Sequence, residues 1–256
     1  MFYILISVKN LSKTYSNGVA ALKNVSFELE PSCVTGYIGI NGAGKSTTMK
    51  ILCGMLDFDS GEVHVGDLRL PDYSTKVKQI TGFVPESPEL FNSLSVSEFL
   101  DFIKDIRDIE KSVFEHRKNY FAGLFGFTEY IDLPIGKLSK GNKQKILIVS
   151  SIIHNPDVIL LDEPLNGLDA FTILTFQDMV SKLAKKGKTI FYCSHLLDIM
   201  EKVSDRIIIL DKGEVKINET KASLKNSSDF KSLESLFRQM KEDNSQKEFS
   251  YGEVFS

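Results

Sequence analysis

The stretch "GINGAGKST", Gly39 to Thr47, decides how the rest of the chain is read, because it matches G-x-x-x-x-G-K-[ST] from Gly39 through Ser46. Before it stands "CVTGYI" (33–38), a short apolar run of strand character. After it, "STTMKILCGM" (46–55) offers Met49, Leu52 and Met55 at helical spacing. Strand, glycine loop and helix, in that order, make a phosphate-binding loop. Gly39, Gly42 and Gly44, with Ile40, Asn41 and Ala43 between them, let backbone N–H groups turn inward at a helix N-terminus whose partial positive charge favours anions. Lys45 is expected to reach the β- and γ-phosphates of a nucleoside triphosphate, and the Ser46 hydroxyl to ligate Mg²⁺, with Thr47 closing the stretch.

Around this loop the composition is that of an ordinary globular chain: 256 residues, 42% hydrophobic, 25% charged, net charge -3. That charge leaves no basic footprint for nucleic acid, so none is expected as a partner. The three cysteines, Cys33, Cys53 and Cys193, are far apart in apolar contexts without C-x-x-C spacing, and read as buried free thiols in a reducing compartment. "MFYILISV" (1–8) is too short to span a bilayer and lacks the basic start of a signal peptide, so it reads as a first strand. No other segment reaches spanning length, which assigns any membrane role to a second polypeptide.

Up to about residue 80 the texture is short strands and turns: "VSFELE" (25–30) alternates Val25, Phe27 and Leu29 with polar residues, and "GEVHVGDLRL" (61–70) reads as a hairpin. From about 93 to 153 the texture is helical. That block opens on a capping box of Ser95 and Glu98 and puts Val96, Phe99, Leu100 and Ile103 on one face. "DVILLDEP" (157–164), "KTIFYCSH" (188–195) and "DRIIILDKGEVKI" (205–217) return to strands, the first two as continuous apolar runs suited to a parallel sheet buried on both faces. Leu233, Leu236, Phe237 and Met240 predict a short amphipathic helix, and the polar end from Lys241 reads as a disordered tail.

Asp162 and Glu163 end one buried run, at the sheet edge where open α/β folds bind ligands. Neighbouring strand residues point oppositely, so the two have different tasks: Asp162 as the Mg²⁺ partner of Ser46, Glu163 as the base that orients and deprotonates water. His195, at the end of "FYCSH", is a candidate for contacting the γ-phosphate or positioning Glu163. His64, His116 and His154 read as surface or packing residues. "LSKGNKQK" (138–145) leads into an apolar helix with Ser139 as N-cap; a guanine-reading N-K-x-D at Asn142 fails because position 145 is Lys.

Tyr15, the glycine loop, "GFVPE", "LSKGN", "ILLDEP", "LNGLD" and the Ser194–His195 pair, in this order, resemble the nucleotide-binding subunits of ABC transporters across residues 1–220. The resemblance implies a P-loop NTPase (RecA-like) α/β core with an N-terminal antiparallel β subdomain and an inserted helical subdomain. The ATP-binding domain would span 1–222, with the helical block at about 86–155, and a short helix and tail would follow at 223–256. It implies ATP and Mg²⁺ as cofactors, with Tyr15 stacking on adenine. Ser139 and Gly141 would cap the γ-phosphate of ATP held by a facing subunit, in a homo- or heterodimer, and Asp169 would run along that interface.

Two motifs depart from the family pattern. The signature LSGGQ stands here as "LSKGN", with Lys140 and Asn142 replacing glycine and glutamine, and Glu86 stands where the family has a glutamine near Mg²⁺ and water. The implied role is an ATPase subunit on the cytoplasmic face of a membrane, bound to a separate permease through the block around residues 86–135. Export is preferred because "SLESLFRQM" (232–240) resembles the ends of drug and antimicrobial-peptide efflux subunits and no regulatory domain follows residue 220. Translation factors with two such domains and chromosome proteins with heptad arms do not fit; a scaffold that binds without hydrolysis is opposed by Glu163 and His195.

Overall fold

The structure, a computed structural model, describes residues 4–87, 90–227 and 230–242. Two sheets form among them. In the first, β1 (Ile6–Thr14), β2 (Ala20–Leu29), β4 (Ser60–Val65) and β5 (Leu68–Leu70) pair antiparallel in the order β2-β1-β4-β5. In the second, β3 (Val34–Ile38), β6 (Thr81–Val84), β7 (Val158–Asp162), β8 (Thr189–Cys193), β9 (Arg206–Asp211) and β10 (Glu214–Thr220) take the order β10-β9-β3-β8-β7-β6, parallel apart from the β9–β10 hairpin.

The continuous apolar runs have the cause expected of them. Ile190 and Tyr192 of β8 pack towards the helices, while Phe191 and Cys193 pack towards the antiparallel sheet, and Leu161 and Leu160 of β7 divide the same way. Phe27 of β2 stacks on Phe191 of β8 at 5.5 Å and meets Tyr37 of β3 at 6.0 Å, joining the two sheets through aromatic contacts.

The helices are α1 (Lys45–Leu52), α2 (Ser74–Ile80), α3 (Val96–Ile106), α4 (Lys111–Phe125), α5 (Lys140–Ile152), α6 (Ala170–Lys185), α7 (Leu197–Val203), α8 (Lys221–Asn226) and α9 (Leu233–Glu242). Between β6 and its neighbour β7 the chain runs through α3, α4 and α5. The capping box at the start of α3 is present in both directions: Glu98 N–H donates to Ser95 Oγ at 3.2 Å, and Ser95 N–H to Glu98 Oε2 at 2.7 Å. Val96, Phe99 and Leu100 are buried beneath it.

Four expectations need correction. Helix α1 stops at Leu52, because Gly54 turns the chain with φ +68, so Met55 lies outside the helix and is 60% exposed. Helix α2 forms within the stretch read as strands and turns alone. Cys33 is only half-buried, unlike Cys53 and Cys193. The tail expected from Lys241 starts later, because α9 runs on through Glu242, and its remainder lies outside the described residues.

Candidate functional site

Strand β3, buried along its whole length, carries the chain to the sheet edge, where residues 39–44 turn into α1. Gly44 takes φ +112, and a Cβ there would lie 2.4 Å from the Ala21 carbonyl, so both backbone and space demand glycine. Ala43 N–H closes the turn on the Ile40 carbonyl at 3.1 Å, and the Ala43 carbonyl accepts from Gly213 N–H at 3.0 Å, tying the loop to the β9–β10 turn. Lys45 Nζ donates to the carbonyls of Gly39 at 2.7 Å and Ile40 at 3.1 Å, which draws the ammonium back across the loop. The Tyr15 hydroxyl bonds Thr47 Oγ1 at 3.0 Å and so links the Tyr15 ring to the first turn of α1.

A cleft of about 460 Å³ brings these groups together with others remote in sequence: its walls include Tyr15, Asn41, Gly42, Gly44, Lys45, Ser46, Thr47, Glu86, Asp162 and Glu163. Asp162 is the last residue of β7 and nearly inaccessible. Glu163 leaves the strand in a left-handed conformation, φ +48, with its N–H held by the Cys193 carbonyl at 3.0 Å. A non-glycine residue in that region is strained, so the neighbouring bonds must hold it there.

They do so through the carboxylate. Glu163 Oε2 accepts from Ser194 Oγ at 3.0 Å, Oε1 accepts from the His195 backbone N–H at 2.9 Å, and ring Nδ1 of His195 lies 2.9 Å from the same Oε1. The imidazole thus borders the carboxylate that Ser194 and the backbone hold in place. Next to the pair, burial and then the charge of Asp162 push the Cys193 thiol far above its ordinary range. The thiol stays protonated beside the carboxylates. His195 also borders a second cleft, against Gly39, Ile40, Asn41 and Phe237.

Ser139, Gly141 and Asp169 do not line the first cleft. Ser139 Oγ caps α5 by accepting from Asn142 N–H at 3.2 Å. Gly141 sits so close to Gly167 that a Cβ would meet its carbonyl at 2.4 Å. Asp169 caps α6: it accepts from Thr172 Oγ1 at 2.6 Å and Thr172 N–H at 2.9 Å, and these bonds, with Lys145 at 3.5 Å, pull its carboxyl down to about 2. Lys145, which excluded the guanine motif, thus pairs with the loop aspartate.

The sequence reading gave no role to Ser194 beyond its place at a strand end, nor to Gln144, whose buried Nε2 donates to the Pro164 carbonyl at 2.9 Å and ties α5 to the turn after Glu163. A serine before His195 could have drawn attention; a glutamine inside an apolar helix carries no signal of its partner.

A family model described as ABC transporter matches residues 22–166. An uncharacterized ABC transporter ATP-binding protein of Methanocaldococcus jannaschii is 34% identical over 209 residues, 82% of this chain and 75% of that protein. The linearmycin resistance ATP-binding protein of Bacillus subtilis is 31% identical over 220 residues, 86% of this chain and 70% of that protein. A solved dimeric ATP-binding cassette, in a post-hydrolysis state bound to ADP and Pi, matches with a TM-score of 0.78 at 26% identity, over 84% of this chain and 98% of that one.

Proposed function

The chain belongs to the ABC transporter family, as an ATP-binding and ATP-hydrolysing subunit, and from that premise we propose that Glu163, held by Ser194 and His195, is the base that activates water in the cleft lined by the glycine loop. The observation that carries this is the meeting of Lys45, Asp162 and Glu163 in one cleft, with the Glu163 carboxylate bonded to His195.

The loop N–H groups and Lys45 bind the phosphates, and Tyr15, fixed through Thr47, packs against adenine. Glu163 accepts the proton of the attacking water, and His195, hydrogen-bonded to the same oxygen, holds the carboxylate in line. Ser46, Glu86 and Asp162 supply a hydroxyl and two carboxylates in the same cleft, hard oxygen donors that fit Mg²⁺. No group of three His, Cys, Asp or Glu among the described residues could hold a metal by itself. That suits an ion which keeps water and phosphate ligands; when bound, it neutralises phosphate charge. Single-turnover hydrolysis in Glu163→Gln and His195→Ala variants tests the assignment.

In our reading Ser139 and Gly141 serve the ATP of a facing subunit. Their position outside the chain's own cleft, and the dimeric state of the solved cassette, support it. We take residues 1–222 as the ATP-binding domain, with the helical block at about 86–155 inserted.

The permease would dock on the face shared by the end of α1, by α2 and by α3. Met55, Tyr73, Phe102 and Ile106 are exposed there, and Arg107, at the end of α3, donates to the Lys78 and Gln79 carbonyls of α2. Phe91, exposed and edge-on to Phe102, extends that apolar face into the segment after Glu86. No helix among the described residues is long and apolar enough to cross a membrane, which agrees with peripheral attachment at the cytoplasmic face through such a permease. Export is supported by the resemblance of residues 232–240 to efflux subunits and by likeness to the linearmycin resistance protein. Transport by the chain reconstituted with its permease, in vesicles of known sidedness, tests direction.

A further inference from the structure

Helix α9 lies beside the turn that carries His195. Its first residue, Leu233, is 2% exposed, and the Leu233 N–H donates to Glu201 Oε2 at 3.0 Å, which fastens the start of α9 to α7. Helix α7 begins at Leu197, two residues after His195, so a force that fixes α7 also fixes the turn before it. One helical turn beyond Leu233, on the same face, Phe237 joins His195, Leu197, Gly39, Ile40 and Asn41 around a cleft of about 460 Å³. The aromatic ring therefore stands where α9, the histidine turn and the phosphate loop converge.

We infer that Phe237 is a positioning residue for His195. The imidazole is 59% exposed, with Nδ1 2.9 Å from Glu163 Oε1, and an exposed ring retains rotamer freedom unless a neighbouring wall limits it. Phe237, anchored through Leu233 and Glu201, forms a wall of the cleft that the imidazole borders and so limits its swing away from Glu163 Oε1. It meets the loop from the cleft that Tyr15, Lys45 and Ser46 do not line, so it acts on the chemical step and not on ATP capture.

The inference rests on the catalytic reading of Glu163 and His195, and steady-state ATPase measurements on the full chain separate the two. Phe237→Ala is expected to lower kcat roughly 10-fold to 10²-fold, the effect of displacing a catalytic group by about 1 Å, with KM for ATP unchanged. Phe237→Tyr, which keeps the ring, should restore kcat, and Phe237→Leu, which keeps bulk should the alanine variant fold poorly, should fall between. In a His195→Ala background, Phe237→Ala should cost nothing further, because the group it positions is gone. Normal turnover in His195→Ala alone would remove the catalytic reading. An impaired His195→Ala beside a normal Phe237→Ala would overturn the positioning role alone, as would the full Phe237→Ala loss persisting without His195.

Discussion

Glu163 and His195 meet twice at one atom: Oε1 of the glutamate accepts the backbone N–H of the histidine at 2.9 Å and lies 2.9 Å from its ring Nδ1. The backbone bond survives any change of the His195 side chain, so the glutamate keeps its place when the imidazole is removed and loses only the ring contact. This makes the two residues separable by mutation.

Glu163→Gln should keep ATP binding and lower hydrolysis by roughly 10² to 10⁴, the usual worth of a general base. His195→Ala should lose less, because Ser194 and the His195 N–H still hold the carboxylate. Rapid-quench hydrolysis at saturating ATP measures both, and a glutamine variant with near-normal turnover would take Glu163 out of the mechanism.

Sharing of sites between subunits makes a demand on mixtures. Lys45→Ala removes the cation from the phosphates and Ser139→Arg blocks the cap of α5, so each homodimer should be inactive. Hybrid dimers should contain one intact composite site and recover nucleotide trapping between subunits. A hybrid verified by differential tagging that traps no ATP would show that Ser139 does not act across the interface.

Glu86 adds a carboxylate to a cleft that already holds Asp162 and Glu163. Two like charges about 4 Å apart repel by roughly 4 kcal/mol at an effective dielectric of about 20, so ATP affinity should depend steeply on Mg²⁺. Glu86→Gln keeps the oxygen and removes the charge, and should flatten that dependence. Superimposable titrations of ATP binding against Mg²⁺ in the two proteins would leave Glu86 without this role.

His154 predicts an acid limb in stability. Burial, then the neighbouring Arg107 guanidinium, lowers its ring from 6.5 to about 4, and its nitrogens are shielded from solvent without a well-formed hydrogen bond. Between those values the unfolded chain binds a proton that the folded chain refuses, so stability falls as pH drops from about 6.5 to 4, by about 3 kcal/mol in all. Urea unfolding across that range should show the slope in the native protein and a reduced one in His154→Gln; equal slopes would assign the acid limb to other groups.

The elements most legible in the sequence were those whose signal is local. The glycine loop declares itself through spacing and φ demands, β7 and β8 through runs that only a sheet covered on both faces requires, and α3 through a capping box four residues long. Helix α9 was visible in the spacing of Leu233, Leu236, Phe237 and Met240. Each of these is decided by covalent geometry, helical or strand period, or hydrogen bonds between near neighbours, all of which a short stretch of chain specifies by itself.

What the tertiary structure alone decided are pairings whose residue types do not name their partner. Lys145 meets Asp169, Gln144 meets the Pro164 carbonyl, Ser194 meets Glu163, and Phe237 comes to line one cleft with His195 and residues 39–41. A lysine, an amide or a hydroxyl can satisfy its bonding with many groups or with water, so the choice among them falls to whichever group the packed sheet and helices bring within about 3 Å. That proximity is a property of the whole core, because β3, β7 and β8 must first pair in register before the ends of their loops can meet.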